Sequence, residues 1–376
     1  MQNPVSSPRP LPLGRLSGAA PWRSDLKKVT RWGGQGQIAW SPWVAGAVCA
    51  GHRRCNHPRV RGIPPETAKS HECDLRRKPS FWTVLAPCWS VMCWSGRFYG
   101  RMMTTGAICS PPTTVAVRRM GSPPAGFQRC GALSWRRRAT GVEIVHPFDR
   151  SSISDSAMVA GLVGLVESGV IAGQLAFEDA AVGMIRSAAS TEESSWAAFY
   201  DNSIAELRAG TSPFGPVHRR ACSLLRGRSV LEVGSCFGFF ALQCAEDGYA
   251  VSACDISPGA IGHLRRAARR RATPVEAVVG DATDLPFATD SSDTVTLIHL
   301  LEHLDPQGVL DALGEALRVA RRRVVVAVPF EEHPSEHFGH LTRLRVDDLV
   351  GWADQVRHAG AEIFTDHGGW LVLTPP

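Results

Sequence analysis

The sequence predicts an α/β protein whose main domain is a doubly wound, mostly parallel sheet. Two observations carry this prediction. From residue 229 onward, short apolar segments alternate with amphipathic helical segments. The last two apolar segments, 361–366 and 370–375, are separated by His-Gly-Gly, which is a hairpin signal. The alternation predicts parallel strands joined by helices, and the hairpin predicts an antiparallel strand at one end of the sheet.

The individual elements follow from residue periodicity and from capping residues. Ser257 is a good N-cap and Pro258 a good first residue for the second helix of the domain, and Gly248 is a good helix terminator. Three helical segments precede the domain, at 161–189, 194–210 and 217–227, and Ser194 or Ser195 is a candidate N-cap. The predicted strands are 229–234, 249–255, 275–281, 293–300 and 322–330 with the closing hairpin; the helices between them are 239–248, 257–271, 305–320 and 345–360.

Charge divides the chain near residue 140. Residues 1–140 carry a net charge of +18 and residues 141–376 a net charge of −12. The sequence therefore predicts a basic N-terminal extension over 1–140, rich in Pro, Arg, Trp and Cys, that is disordered or not native. Residues 141–220 are predicted to form a helical lead-in that covers the ligand, and 221–376 the α/β domain.

Three interpretations of residues 1–140 remain open. The charge suits a nucleic-acid-binding arm. The order of Cys49, His52, Cys55 and His57 suits a zinc site, although structural zinc sites usually pair their ligands across a longer loop. We favour translation from an early start codon, with Met120 or Met158 as the more natural start, because the segment has no hydrophobic periodicity.

Several classes of protein are disfavoured by the sequence. No apolar run reaches 18 residues, so no membrane span is predicted. The N-terminus lacks a secretory signal, and the cysteines after residue 140 show no paired spacing, so we predict a cytoplasmic protein. The arginine runs at 265–271 and 321–323 are interpreted as solvated faces of an acidic domain, without a nucleic-acid partner.

The loop after the first strand has the pattern Glu232-x-Gly234-x-x-x-Gly238. Gly234 allows a tight turn and Gly238 opens a helix whose N-terminal amides favour an anion. A dinucleotide loop would have a third glycine, so the fit to that class is poor. The spacing with Glu232 instead suits a ligand with a small carboxylate and a cationic end.

Acidic residues also end the next two strands. Asp255 ends the second strand, at the distance where an acid typically accepts ribose hydroxyls. Asp281 and Ala282 end the third, where a carboxylate beside a backbone N–H suits the edge of an adenine ring. Because the carboxyl ends of parallel strands meet at one edge, these groups are predicted to form one site.

Four motifs together resemble those of class I S-adenosylmethionine-dependent methyltransferases. They are VLEVGSCFG, ACDIS, GDATDLPF and LIHLLEHLDP, and the resemblance covers roughly residues 195–376. It implies a Rossmann-like, seven-stranded sheet and S-adenosylmethionine as cofactor. The cofactor-binding residues that it implies are Glu232, Gly234, Ser235, Gly238, Asp255, Ile256, Asp281, Ala282 and His299. Trp196 and Tyr200 look like an aromatic lid on the acceptor side, with simple helix packing as the alternative.

A narrower resemblance concerns the acceptor. GSCFGFFALQCA, TVTLIHLLEHLDP and DHGGWLVLTP are similar to segments of mycofactocin oligosaccharide methyltransferases, which methylate a glucose unit. This implies methyl transfer to a sugar hydroxyl of the mycofactocin oligosaccharide. A quinone, a lipid or another glycoside remains the alternative acceptor, and a non-enzymatic nucleic-acid-binding protein is the alternative class.

The candidate catalytic residues are His299, Glu302 and His303 at the end of the fourth strand. On one helical turn the three would share a face. The trio resembles the magnesium-binding acid-x-x-Glu-His pattern of some quinone O-methyltransferases, but His299 replaces the acid, which disfavours an oxygen-preferring ion, so we assign no metal. A divalent cation, a histidine base and a structural or cofactor-contacting role are the alternatives that the residues leave open. The polar loop after the fifth strand adds His337 and His340 as candidate acceptor-binding residues.

Overall fold

The structure, a computed structural model, describes residues 114–376. The candidate zinc ligands between Cys49 and His57 and most of the basic extension lie outside these residues. Within 114–376 the chain forms a four-stranded sheet, four helices and then a seven-stranded sheet with helices on both faces.

The small sheet comes first in the described part of the chain. Its strands are β1 (Thr114–Arg119), β2 (Gln128–Cys130), β3 (Leu133–Arg138) and β4 (Gly141–His146), in the order β1-β4-β3-β2. The predicted lack of structure up to residue 140 is therefore wrong for 114–140, and the predicted helical lead-in is wrong for 141–146. Arginines fill the outward positions of these strands, so the hydrophobic alternation that signals a strand is weak.

A single buried carboxylate organises the arginines of the small sheet. Glu143 is 3 % exposed and pairs with Arg118 at 2.9 Å, Arg136 at 2.6 Å and Arg138 at 2.5 Å. Burial alone would raise the pKa of Glu143, but the three guanidinium groups hold it below its ordinary value. Part of the basic character of this segment thus belongs to a folded sheet.

Four helices connect the two sheets. They are α1 (Asp155–Glu167), α2 (Gly173–Ser187), α3 (Glu192–Ala209) and α4 (Gly215–Leu224). The N-cap of α3 is Thr191 rather than Ser194 or Ser195, because the Thr191 hydroxyl accepts the Ser194 N–H in a capping box. Leu133, Val142 and Ile144 of the small sheet are buried in the same core as α1, α2 and α3.

The large sheet confirms the predicted doubly wound fold. Its order is β10-β11-β9-β8-β5-β6-β7, and β5 to β9 run parallel to one another while β11 is antiparallel to β9 and β10. The strands are β5 (Ser229–Val233), β6 (Ala250–Asp255), β7 (Val275–Val279), β8 (Ser292–Ile298), β9 (Ala320–Val328), β10 (Gly360–Thr365) and β11 (Gly369–Thr374).

Helices cover both faces of this sheet. They are α5 (Phe239–Glu246), α6 (Pro258–Arg270), α7 (Pro306–Val319) and α8 (Val346–Gln355). Alternate residues of β5 enter different cores: Val230 packs with α5 and α6, whereas Leu231 and Val233 pack with α7 and α8. Glu232 has the same parity as Val230 and so lies on the α5 and α6 face.

Two glycines flank α5, and both have a positive φ, but they differ in the space available for a Cβ atom. Gly238 has φ +68°, and a Cβ there would lie 2.5 Å from the buried Leu264 side chain. Gly248 has φ +89°, and a Cβ there would meet nothing within 4 Å. We expect Gly248→Ala to cost about 1–2 kcal/mol of unfolding free energy from backbone strain alone. Gly238→Ala should cost about 1–3 kcal/mol more because of overpacking.

Urea denaturation of the two variants measures this difference. Equal losses of stability would contradict the close packing of α5 against α6.

Candidate functional site

The site lies where the strand order of the large sheet reverses. β5 is flanked by β6 on one side and β8 on the other, and ligands of open α/β sheets bind at the carboxyl ends of such strands. A cavity opens at this point. It is lined by Glu232 and Ser235 from β5 and its loop, by His299 after β8, and by Asp155 and Phe214 from the helices that precede the sheet.

Glu232 is a buried carboxyl group facing this cavity. It is 6 % exposed, and its Oε2 accepts a hydrogen bond from the Ala241 N–H at 2.9 Å. Burial raises the pKa of Glu232 from 4.5 to about 8, against the lowering effect of that hydrogen bond. A buried carboxyl group with such a pKa is neutral at pH 7 until a cation approaches it.

Asp155, the first residue of α1, also lines the cavity; the residue is half-buried and its Oδ1 is enclosed. Burial, with a smaller contribution from Glu206, raises the pKa of Asp155 from 3.8 to about 7. The Asp155 N–H donates to the Ser203 hydroxyl at 2.9 Å, which anchors the start of α1 to α3. No sequence motif identifies Asp155 as a site residue, because Asp155 belongs to a helix that is far along the chain from the strand motifs.

Asp255 holds the glycine loop in place. Its two carboxylate oxygens accept the Cys236 N–H at 2.7 Å and the Ser257 N–H at 2.8 Å. Cys236 is in the left-handed region with φ 47°, so the turn is tight. Burial raises the pKa of Asp255 to about 6, opposed by both N–H groups. Each oxygen keeps a second lone pair, so the predicted ribose contact is compatible with this bonding.

Asp281, after β7, is the third acidic residue at this edge of the large sheet. Asp281 is exposed and its Oδ1 accepts both the N–H and the hydroxyl of Thr283, at 2.9 and 2.8 Å. Ile256 beside Asp255 is 49 % exposed and presents an apolar surface. The structure thus brings Glu232, Asp255 and Asp281 to the ends of three neighbouring strands.

The predicted lid residues are packed rather than exposed. Trp196 is 7 % exposed and its ring lies over His263 of α6, with 3.7 Å between the centroids. Tyr200 is 2 % exposed, and its ring centroid is 5.4 Å from that of Phe239. Neither residue lines the cavity beside Glu232. This placement agrees with the helix-packing alternative, and an acceptor contact stays a prediction.

The predicted catalytic residues His299, Glu302 and His303 after β8 do not lie on one helical turn. His299 has a left-handed backbone with φ 53° and precedes a single 3₁₀ turn over Leu301–His303. The expectation that one helical turn aligns all three side chains is therefore wrong. The His299 Nδ1 lies 3.8 Å from the Glu302 Oε1, while the His303 Nδ1 lies 3.2 Å from the Gly339 carbonyl oxygen.

The histidines after β8 are neutral at physiological pH. Burial, together with nearby histidines, lowers the pKa of His299 to about 3 and that of His303 to about 3. A pKa so far below neutrality disfavours His299 as a stand-alone proton acceptor, since a general base works best near the operating pH. A neutral imidazole can still orient a hydroxyl group by a hydrogen bond.

The loop after β9 folds back onto this turn. The His340 Nδ1 lies 2.7 Å from the Glu331 Oε2, and the His303 and His340 ring centroids are 4.9 Å apart. The His337 ring packs against Phe177 of α2, at 5.3 Å between centroids. His340 therefore lies beside His303, whereas His337 contacts an aromatic ring of α2, and acceptor binding by either residue stays a prediction.

Comparison with known proteins fits this geometry. Residues 231–328 match the family described as "Methyltransferase domain". These residues contain most of β5, all of β6, β7, β8 and β9, and the loops that carry the acids. This part of the chain is thus similar to a methyltransferase domain. The methyl donor of this class is S-adenosylmethionine.

Curated relatives share only part of the chain. A demethylmenaquinone methyltransferase of Beutenbergia cavernae is 38% identical over 103 residues, which is 27% of this chain and 40% of the relative. One of Renibacterium salmoninarum is 32% identical over 130 residues, 35% of this chain and 52% of the relative. The chain thus spans about half the length of the curated relatives that it matches.

Among solved structures, the PH0226 protein of Pyrococcus horikoshii OT3 is 18% identical, with a TM-score of 0.39 over 45% of this chain and 92% of that one. Magnesium protoporphyrin IX methyltransferase of Synechocystis PCC 6803 is 17% identical, with a TM-score of 0.35 over 46% of this chain and 85% of that one.

None of the helices within residues 114–376 has the length and the apolar character that a membrane span requires.

Glu232 allows a test of the buried carboxyl group without any ligand. Between pH 4.5 and about 8 the folded protein keeps a proton on Glu232 that the unfolded chain has lost, so stability falls as pH rises. Glutamine does not titrate, so Glu232→Gln removes this pH-dependent loss of folding stability. We expect its stability advantage over the wild type to grow from pH 5 to pH 8, reaching on the order of a few kcal/mol.

Thermal unfolding across this pH range measures the effect. The matched control is Glu276→Gln, which changes an exposed carboxyl group on β7 and should give a curve parallel to the wild type. Parallel curves for Glu232→Gln as well would contradict the burial argument.

Proposed function

We propose that this chain transfers a methyl group from S-adenosylmethionine to a small-molecule acceptor. One observation carries the proposal: the buried carboxyl group of Glu232 and the half-buried carboxyl group of Asp155 face one cavity at the switch point of the sheet. A cavity with this character favours a cationic ligand, because a nearby positive charge compensates the cost of ionising a buried acid. The match of residues 231–328 to a methyltransferase domain supports the same conclusion.

The residues at the strand ends fit the donor. Its ammonium group would lie near Glu232, its ribose hydroxyls near Asp255, and its adenine near Asp281, Ala282 and the exposed Ile256. The left-handed glycines of the loop, Gly234 and Gly238, would bring backbone close to the methionine part, with Ser235 between them. His299, which lines the cavity, would contact the donor or the acceptor.

The chemistry requires alignment more than activation of the donor. When bound, S-adenosylmethionine supplies an electrophilic methyl group on a positively charged sulfur. The acceptor oxygen forms a bond to the methyl carbon while the carbon–sulfur bond breaks and its electron pair stays on sulfur. The acceptor proton is lost to water or a base. His299 would orient the acceptor hydroxyl through its neutral imidazole, since alignment alone lowers such barriers by several kcal/mol.

The finer proposal concerns the acceptor. The resemblance of GSCFGFFALQCA, TVTLIHLLEHLDP and DHGGWLVLTP to mycofactocin oligosaccharide methyltransferases supports a sugar hydroxyl of that oligosaccharide. The carboxylates and imidazoles of the loop after β9 are of the type that hydrogen-bond sugar hydroxyls. In this role we propose His337 on the acceptor side, while Trp196 and Tyr200 would hold α3, which lines the cavity through Ser203 and Leu207, in place by packing.

A quinone acceptor is the second candidate. Both quoted curated relatives are named demethylmenaquinone methyltransferase. Phe214, Phe237 and Phe240 line the cavity and give it an aromatic wall, which would suit a flat quinone ring.

Assays with the purified full-length chain separate the two acceptors. Labelled S-adenosylmethionine is incubated with unmethylated mycofactocin glycoforms or with demethylmenaquinone, and label in the product is measured. We expect incorporation into the glycoform and at least a hundredfold less in the Glu232→Gln variant. Labelling of demethylmenaquinone alone would replace the sugar proposal by the quinone proposal. No donor binding in calorimetry with S-adenosylhomocysteine would refute the methyltransferase proposal itself.

A further inference from the structure

Three side chains from two distant loops converge beside the cavity. Glu302 and His303 belong to the turn after β8, and His340 belongs to the loop after β9. One possible ligand atom from each of the three lies within 4.8 Å of the others. Glu302 is 1% exposed and His340 is 4% exposed, so the cluster is inside the protein.

Each histidine of the cluster is oriented through its Nδ1 atom. The His340 Nδ1 lies 2.7 Å from the Glu331 Oε2, and the His303 Nδ1 lies 3.2 Å from the Gly339 carbonyl oxygen. A carboxylate and a carbonyl only accept hydrogen bonds, so Nδ1 is the donor in each contact, and in the neutral ring, the form that binds a metal ion, Nε2 keeps its lone pair. In the described part of the chain, both Nε2 atoms are buried without a hydrogen-bond partner.

This orientation is the one that metal-binding histidines show. A ligating histidine usually donates its other ring N–H to a carboxylate or a backbone carbonyl, which fixes the tautomer and the ring position. Here both kinds of partner are present, one for each histidine. Glu302 and Glu331 also place two carboxyl groups in the cluster, which matches the charge of a divalent ion.

The loop that brings His340 into the cluster is held in place by several contacts. The Leu341 N–H donates to the Glu302 carbonyl oxygen at 2.9 Å, which joins the two loops directly. The Ser335 hydroxyl donates to the Glu331 Oε1 at 2.7 Å and so fixes the residue that orients His340. Helix α2 packs against the same loop through the contact of Phe177 with Phe338, at 5.1 Å between centroids.

We propose that Glu302, His303 and His340 bind a divalent transition-metal ion of the zinc type. Two imidazoles and one carboxylate are a donor set that zinc accepts, and a three-residue set leaves a fourth position open. Magnesium prefers oxygen ligands, so this set disfavours it. The site differs from the trio expected from the sequence, because His340 takes the place that His299 was expected to hold.

The three side chains lie next to the region of the proposed transfer. The Glu302 Oε1 is 3.8 Å from the Nδ1 of His299, and His299 lines the cavity that also contains Glu232. If the proposed function holds, the fourth position would take the acceptor oxygen. A metal ion at that point lowers the pKa of a bound hydroxyl group, which the neutral histidines of the site do not do.

Metal binding is tested independently of activity. The full-length chain is stripped with a chelator, and binding of Zn²⁺ and of Co²⁺ is followed by calorimetry and by the visible spectrum of bound Co²⁺. We expect tetrahedral Co²⁺ bands without a thiolate charge-transfer band, which separates this site from any site built on cysteines. Removing one ligand in His340→Gln or Glu302→Gln should abolish these bands.

The variants include controls for folding and for position. His333→Gln changes an exposed histidine of the same loop and should leave binding unchanged. Glu331→Gln keeps all three ligands and should weaken binding about 10–100-fold, because it removes only the orienting carboxylate. Unchanged binding in His340→Gln and Glu302→Gln, or no Zn²⁺ and Co²⁺ binding by the wild type, would overturn the proposal. Metal binding without methyl transfer would refute the proposed function alone.

Discussion

The Asp255 carboxylate is the contact on which the arrangement of the site depends. It accepts N–H groups from Cys236 in the loop after β5 and from Ser257 at the start of α6, at 2.7 and 2.8 Å. One side chain thus fixes the left-handed glycine loop and the adjoining helix. This loop in turn positions Glu232 and Ser235 at the cavity. A shift of this carboxylate would alter the geometry of every neighbouring group.

The carboxyl groups of the site are costly to ionise, and this cost makes the cavity selective for a cationic ligand. Glu232 and Asp255 are buried and Asp155 is half-buried near the same sheet edge, and burial raises the pKa of each. A buried acid is costly to ionise, so the ligand-free protein is less stable at higher pH than it would be with neutral residues. A cationic ligand offsets that cost. A neutral ligand of the same shape does not, and this difference gives the cavity its preference.

The sequence predicted the parts of the fold that depend on local patterns. The alternation of strands and helices, the hairpin at 361–375 and the acids at the strand ends all depend on residues that are close along the chain. It missed β1 to β4, because Arg118, Arg136 and Arg138 occupy outward positions and depend on the buried Glu143. It also missed Asp155 and the pairing of His303 with His340, which arise only when distant loops pack together.

The central claim is that the buried acids at the end of β5 and in α1 receive the cationic methyl donor. Calorimetry of S-adenosylmethionine binding at pH 7, in two buffers of different ionisation enthalpy, tests it directly. With a pKa of about 8 for Glu232 and about 7 for Asp155, Glu232 is mostly protonated at pH 7 and Asp155 about half protonated, and both lose protons when the cation arrives. The account predicts release of roughly one proton per donor bound, reduced in Glu232→Gln. Binding with the same heat in both buffers would contradict it.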